Sequence, residues 1–451
     1  MSTIRETDPW LKLLAGKLSE QSTRATRLRR YVTGDAPMPS MGPNLESEWN
    51  RFRRTALTNS GGLVVDALAE RIVATGATLE GETHVELRRI WRDNRLDVTI
   101  TDAIRDALTT GVGYLSISRG EDGRAVILRE RPEQVVVIPD PERPWRPLAA
   151  MKAWRSNVKN VEYARVWVDG MEYSYMRRSQ DAMVMDLAEG WEPTTTFPLE
   201  GRIPIVRLEN LDGAGEFEAH LHVIDRINWG ILQRLVTTAM QAFRQRALTV
   251  DRDGEMLQET DEDGNSIDYR KLFKPGPGAL WELPPGVSLW ESQPTDLTPM
   301  LTAIKDDFRQ LAAVTRTPVT MLIPESANQS AEGAAAAREG LVFKARDRIA
   351  RFRPAISVAL VYAMELEGLP VEGTVDTVFE PPAMVTLAER YDAAIKAKSA
   401  GESLESIQRN ILGYSPEQIQ ADRVLRAREQ IALAMGRTTA LPQPVPAGEQ
   451  P

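Results

Sequence analysis

Three histidines and no cysteine limit the metal chemistry open to this 451-residue chain. Without thiols there is no disulfide scaffold and no cysteine-based zinc or iron–sulfur site. His220 and His222 stand two apart where a helix should begin, a spacing that does not put them on one helical face. His84 lies far away in sequence. Solvated or partner-facing histidines are the expectation, with no metal and no cofactor. A phosphate loop needs a glycine–lysine pair followed by Ser or Thr and preceded by an upstream glycine; the chain has none. Gly111-Val112-Gly113 lacks a third glycine and follows a helix. A helix stop leading into a strand explains it better than a dinucleotide site. No Gly-x-Ser-x-Gly elbow and no His-Glu-x-x-His pair occurs.

The densest carboxylate group spans 251–270, where eight acids against Arg252 and Arg270 give a net charge of −6. Read as a calcium loop around Gly264, its first ligands would be Glu259, Asp261 and Asp263. The twelfth position is then Arg270 instead of the bidentate Glu such a loop requires. An acidic hairpin tip with turns at Asp253-Gly254 and Asp263-Gly264 is the better reading. One catalytic alternative survives: a metal-dependent nucleic-acid enzyme that uses the 251–268 acids. The opposite charge gathers at Lys344, Arg346, Arg348, Arg351 and Arg353 on one predicted helix. Such spacing usually marks a solvated or salt-bridged face. Pairing with a neighbouring subunit's acids ranks above DNA contact as its functional use.

A hydrophobic fraction of 42% and a charged fraction of 26% are those of a soluble globular protein, and the length suggests two to four modules. No apolar run approaches the roughly 18 residues of a membrane span, and the N-terminus lacks a hydrophobic signal core, so neither a membrane span nor a signal peptide is expected. A net charge of −9 argues against a dedicated nucleic-acid grip, which needs a basic surface.

The elements that must carry these residues read as α+β, helices then strands. Amphipathic helices are predicted over Asp8–Arg30, Asn59–Ala74, Thr83–Asn94 and Asp97–Thr110. The basic end of the first (Arg24, Arg27, Arg29, Arg30) reads as favourable charge at a helix C-terminus. Period-two segments follow at Val112–Ser118, Arg124–Leu128, Gln134–Ile138, Leu148–Arg155, Val161–Val168, Met171–Met176, Met183–Leu187 and Ile203–Leu208, with hairpin turns at Arg119–Gly123 and Asp169-Gly170. A long helix is predicted over Glu216–Leu248. Beyond the acidic insertion, a helix from Thr298 carries Leu301, Ile304, Phe308 and Leu311 on one stripe. The segment Thr317–Ser330 should be a loop, because Pro318 and Pro324 oppose helix there. The helix from Ala331 to Leu366 contains Pro354 and should kink. Thr374–Phe379 is a lone strand. Helices capped by Thr386, Ser403 and Ser415 follow, and Thr438–Pro451 reads as disordered.

Several segments in order resemble the portal, or head-to-tail connector, proteins of tailed double-stranded-DNA bacteriophages. They are Tyr31–Pro37 with the helix after it, Ala107–Leu115 entering a hairpin, and Gly201–Val206 followed by Gly215–Glu218 and Val223–Asn228. Arg309–Pro318 with its loop, then Ala388–Lys396 and Leu412–Pro416, complete the series. No single motif is diagnostic; their order over nearly the whole chain is. The resemblance implies a wing (1–215), stem helices (216–249 and 294–316) and a clip (250–293). It further implies a tunnel loop (317–330), a long kinked helix with a return strand (331–382), a crown (383–436) and a tail (437–451). It implies a ring of about twelve copies at one capsid vertex of the virion, assembled in the host cytoplasm, with no enzymatic activity. Partners would be further copies of the chain, the major capsid protein and scaffold, the terminase packaging motor, the head–tail adaptor and the DNA in transit. Thr320, Met321, Leu322, Ile323, Glu325, Asn328 and Gln329 would line the channel. Asp261, Asp263 and Asp268 would bind partners at the clip. Another neck or capsid component is the remaining structural alternative.

Overall fold

The computed structural model describes residues 8–38, 52–156, 158–178, 190–199, 201–242, 246–250, 287–291, 293–323, 331–383 and 387–438. They fall into two compact units, whose boundaries cut the chain at 37/38, 57/58, 225/226 and 307/308.

In the larger unit, Leu11, Leu14, Ala15 and Leu18 recur at helical spacing and bury one face of α1 (Asp8–Val32). That face packs on a five-stranded antiparallel meander: β4 (Val135–Pro139), β5 (Pro147–Ser156), β6 (Val161–Val168), β7 (Met171–Arg178) and β8 (Glu192–Pro198). Strand alternation sends Val136, Ala149, Met151, Ala164 and Val166 toward α1. Their neighbours Val135, Val137, Ala150 and Trp167 face the other way, onto Val112, Tyr114 and Ile205. Those belong to a second antiparallel sheet, in order β3 (Ala125–Glu130), β2 (Val112–Arg119), β9 (Ile205–Glu209). The meander is therefore covered on both faces, and the alternating pattern continues through both layers.

Around the sheets lie α2 (Ser60–Ala69), α3 (Val85–Asp93) and α4 (Leu96–Thr110). Gly111 ends α4 in the left-handed region at φ 91°, and a Cβ there would run into the carbonyl of Gly213. Gly113 and Gly215 are equally tight, against the carbonyls of Ala103 and Thr109. The glycines thus serve close backbone approach, as the helix-stop reading of Gly111-Val112-Gly113 implies.

The smaller unit contains most of α5 (Leu221–Ala242) and the first half of α6 (Thr298–Thr315), with Met38 and residues 52–57. A Cβ on Gly230 would stand 3.0 Å from Ile304 Cγ1, and Arg226 Nε donates to Asp307 Oδ1 at 2.7 Å. Met38, Phe52, Ala56 and Leu57 pack on Trp229 and Leu232, so these residues group with the two helices of this unit. Strands β10 (Arg246–Val250) and β11 (Val287–Glu291) pair antiparallel.

The chain continues through a single helical turn, α7 (Val319–Leu322), then α8 (Ala331–Leu366), which runs unbroken through Pro354. Strand β12 (Val375–Phe379) pairs with β1 (Ala74–Leu79). The last helices are α9 (Leu387–Ser399), α10 (Leu404–Ile407) and α11 (Pro416–Thr438). Ser415 and Gln418 form the expected reciprocal cap, with Gln418 N donating to Ser415 Oγ at 3.2 Å and Ser415 N to Gln418 Oε1 at 2.9 Å. Pro416 packs on Gly76, and Arg409 donates to the Gly81 carbonyl, so these helices are tied to β1.

The sequence expectations need several corrections, one being that the strand expected to stand alone over Thr374–Phe379 pairs with β1. The helix predicted to reach Ala74 stops at Ala69, because residues from Ala74 extend to pair with β12. The helix predicted over Glu216–Leu248 starts at Leu221 and ends at Ala242, and 246–250 are strand. The proline-flanked loop contains a helical turn, since Pro318 occupies its cap position, where a missing N–H costs nothing. Strand β8, a Thr-rich edge, was not anticipated. The Met183–Leu187 strand, the cap at Thr386 and the tail beyond 438 lie outside the described residues.

Gly111→Ala is expected to cost at least about 2 kcal/mol of stability, from left-handed strain plus the clash with Gly213. Gly16→Ala, mid-helix with open space at its Cβ, is expected to gain about 0.5–1 kcal/mol. Denaturant unfolding of the two variants checks both signs.

Candidate functional site

Among the described residues of the larger unit, a buried cluster of charges lies just before α5. Glu216 precedes the helix, and its backbone N–H donates to the Leu108 carbonyl at 2.8 Å, fixing it beside the end of α4. Its carboxylate meets Lys344 Nζ at 2.7 Å and Arg348 Nε at 2.7 Å, both from α8, and accepts from Asn210 Nδ2 at 3.0 Å. All three charged side chains are more than nine-tenths buried. Lys344 also donates to the Thr315 carbonyl at 2.8 Å, at the last turn of α6. One carboxylate and two cations thereby join the approach to α5, the end of α6 and the middle of α8.

Burial pushes the Glu216 carboxyl up, but Lys344 and Arg348 outweigh it and hold the group below its ordinary value of 4.5. Burial draws the Lys344 ammonium below its usual range, and Glu216 offsets only part of that. His220, in a single 3-10 turn just before α5, is lowered by burial, with His222 and Lys344 adding to the effect. The two histidine rings lie 6.4 Å apart and edge to face, closer than their sequence spacing suggests. Among the described residues no group of three His, Asp or Glu side chains could hold a metal.

The end of α6 leads directly into the predicted tunnel segment. Thr315 Oγ1 donates to the Leu311 carbonyl and Thr317 N to the Ala312 carbonyl, closing the helix. Between them Arg316 takes the left-handed φ of 52°, a position usually held by glycine at a helix end. Of the predicted channel residues, Thr320, Met321 and Leu322 sit in α7 and Ile323 follows it. Thr320 is exposed and Leu322 is buried. Glu325, Asn328 and Gln329 lie outside the described residues, as do Asp261, Asp263 and Asp268.

The basic face of α8 divides in two. Lys344 and Arg348 are consumed by Glu216 inside the chain, which corrects the expectation that they reach DNA or a neighbouring subunit. Sequence alone could not pair them with an acid more than a hundred residues away. Arg351 pairs with Asp347 one turn back. Arg346 lies over the exposed Phe343 ring and Arg353 over Phe379, and neither has a carboxylate partner among the described residues. At the end of α1, Arg29 pairs with Asp106 and Glu133, Arg24 with Glu218, and Arg30 with Asp35, so most of that basic cluster is structural. Tyr31 donates to Asp225 at 2.8 Å, and its hydroxyl is pushed up to about 12 by burial and that carboxylate.

The family of phage portal proteins of the SPP1 Gp6-like type matches residues 11–431, and the chain belongs to that family. A relative described as the portal protein of Mycobacterium phage D29 is 25% identical over 405 residues, covering 83% of this chain and 79% of the relative. Among solved structures, a chain from the virion of a native gene transfer agent particle is 16% identical. It covers 86% of this chain and 99% of its own, with a TM-score of 0.45. A chain from the neck of a native gene transfer agent particle, computed with C12 symmetry, is also 16% identical. It covers 85% and 97%, with a TM-score of 0.44.

Replacing Glu216 with Gln leaves two cations buried without their carboxylate and is expected to cost about 3–5 kcal/mol at neutral pH. The folded carboxyl lies below its unfolded value, so the ion pair's contribution is complete above about pH 4.5 and is lost as pH falls through the folded pKa. The stability gap between wild type and Glu216→Gln, measured by denaturant unfolding from pH 7 to pH 3, should therefore narrow on acidification.

Proposed function

We propose that the chain forms a ring of twelve copies at one capsid vertex, through which DNA is packaged and later ejected. The same ring would dock the packaging motor on one side of the vertex and the head–tail connector on the other. The observation that carries this reading is family membership across residues 11–431, nearly the whole chain. On this reading α5 and α6 form the stem, 250–293 the clip, α8 the long helix crossing the wing, and α9 to α11 the crown. The segment from Thr317 to Ser330 is the tunnel loop. The chain is a structural component, and the motor supplies the ATP hydrolysis.

The physical features fit these roles. Twelve copies at −9 each carry −108, and a largely acidic bore repels phosphate, so DNA slides without sticking. Arg346 and Arg353, free of carboxylates within the described chain, are the two members of the α8 basic face still available to a neighbouring subunit or to passing DNA. The buried Leu322 anchors one end of the tunnel segment, while Thr320 is exposed on the same turn. Capsid protein, scaffold, terminase and adaptor remain the proposed partners, with the virion vertex as the location.

Deleting Glu325–Gln329 spares α7 and its buried leucine. Particles assembled with this variant should contain the ring but retain little packaged DNA, measured by particle DNA content after nuclease treatment. Normally filled particles would contradict the tunnel-loop assignment. Magnesium-dependent nuclease activity of the purified chain, abolished by changing Asp261 and Asp263 to Asn, would favour the enzymatic reading instead.

A further inference from the structure

The last helices leave two apolar faces uncovered. On α9, Leu387, Tyr391 and Ile395 follow at intervals of four and form one stripe, with Ile395 66% exposed. On α11, Val424 and Ile431 lie one heptad apart on one face with Leu425 beside them, and Ile431 is 58% exposed. Single exposed leucines are ordinary on a protein surface, but two contiguous helical stripes are not. The stripes do not cover each other within the chain, since both are exposed.

The charges at the two stripes differ in a complementary way. Arg428 falls in the middle of the α11 stripe, between Val424 and Ile431, and has no carboxylate partner among the described residues. Asp392 borders the α9 stripe beside Tyr391 and Ile395, with its side chain 64% exposed. Its one ion pair among the described residues, to Lys396 one turn on, is a solvated helix-surface pair of little strength. An apolar face with a free cation at its centre fits an apolar face edged by a carboxylate.

We propose that the α11 stripe of one copy packs on the α9 stripe of the next, with Arg428 paired to the neighbour's Asp392. Because the two surfaces differ, the contact is heterologous and propagates head to tail, which closes into a ring when the rotation permits. This rests on the ring reading and names the surface that joins adjacent copies.

The chain's lack of cysteine gives a clean test. Asp392→Cys, Arg428→Cys and the double variant are prepared as full-length protein and treated with a bis-maleimide cross-linker, and the wild-type native mass is measured in parallel. The double variant should give a ladder of covalent multimers, while neither single variant gives more than monomer. In a second arm, Arg428→Asp or Asp392→Arg should lose ring-sized mass, and combining the two should restore it. A ring-sized wild type without a ladder in the double variant overturns this contact and leaves the ring reading standing. Dimers from either single variant overturn the head-to-tail arrangement. A monomeric wild type without a ladder overturns both.

Discussion

The Glu216 carboxylate, held between Lys344 and Arg348, is the constraint on which the larger unit most depends. A buried carboxylate is costly on its own, and so are a buried ammonium and guanidinium. Each is tolerable only because the others are present, with Asn210 and the Thr315 carbonyl taking up remaining hydrogen bonds. The three charges come from two distant parts of the chain, and Lys344 reaches a third. The segment before α5, the last turn of α6 and the middle of α8 are therefore fixed together. Such a knot contributes little net energy compared with an apolar cluster of the same size. Its use here is specificity, because a slipped register of α8 would bury an unpaired charge. The helical turn α7 leaves directly from this knot, so it starts from a rigid base.

A second constraint is backbone contact. Gly111, Gly113 and Gly215 let α4, β2 and the segment leading to Glu216 approach to distances that no side chain would permit. This is what brings Glu216 N within reach of the Leu108 carbonyl. Nearby, α1 is tied to the same region by Arg24 with Glu218 and by Tyr31 with Asp225, and to α4 by Arg29 with Asp106. Arginines clustered at the end of α1 thereby become internal ties, leaving a chain whose net charge is acidic.

What the sequence made legible follows from how local each signal is. The amphipathic helices, the meander hairpins and the caps at Ser403 and Ser415 depend on residues a few positions apart, and the structure contains them. Strand β1 was missed because its partner β12 lies about 300 residues away, and its six residues carry no turn signal of their own. Strand β8 was missed because Glu192–Pro198 alternates weakly and begins and ends near prolines. Most of the α8 arginines could be placed on one helix, but which were free and which were spent on Glu216 was a tertiary fact. The same holds for Met38, Phe52, Ala56 and Leu57, whose side chains find Trp229 and Leu232 far along the chain. The family resemblance was legible because it rests on many weak segments spread along the chain, and the family model matches residues 11–431.

Ring assembly is the central claim, and the native mass of the purified full-length chain tests it most directly. The account predicts a closed species of about twelve chains of 50.3 kDa, near 600 kDa in total. A stable monomer or dimer as the only species would contradict it.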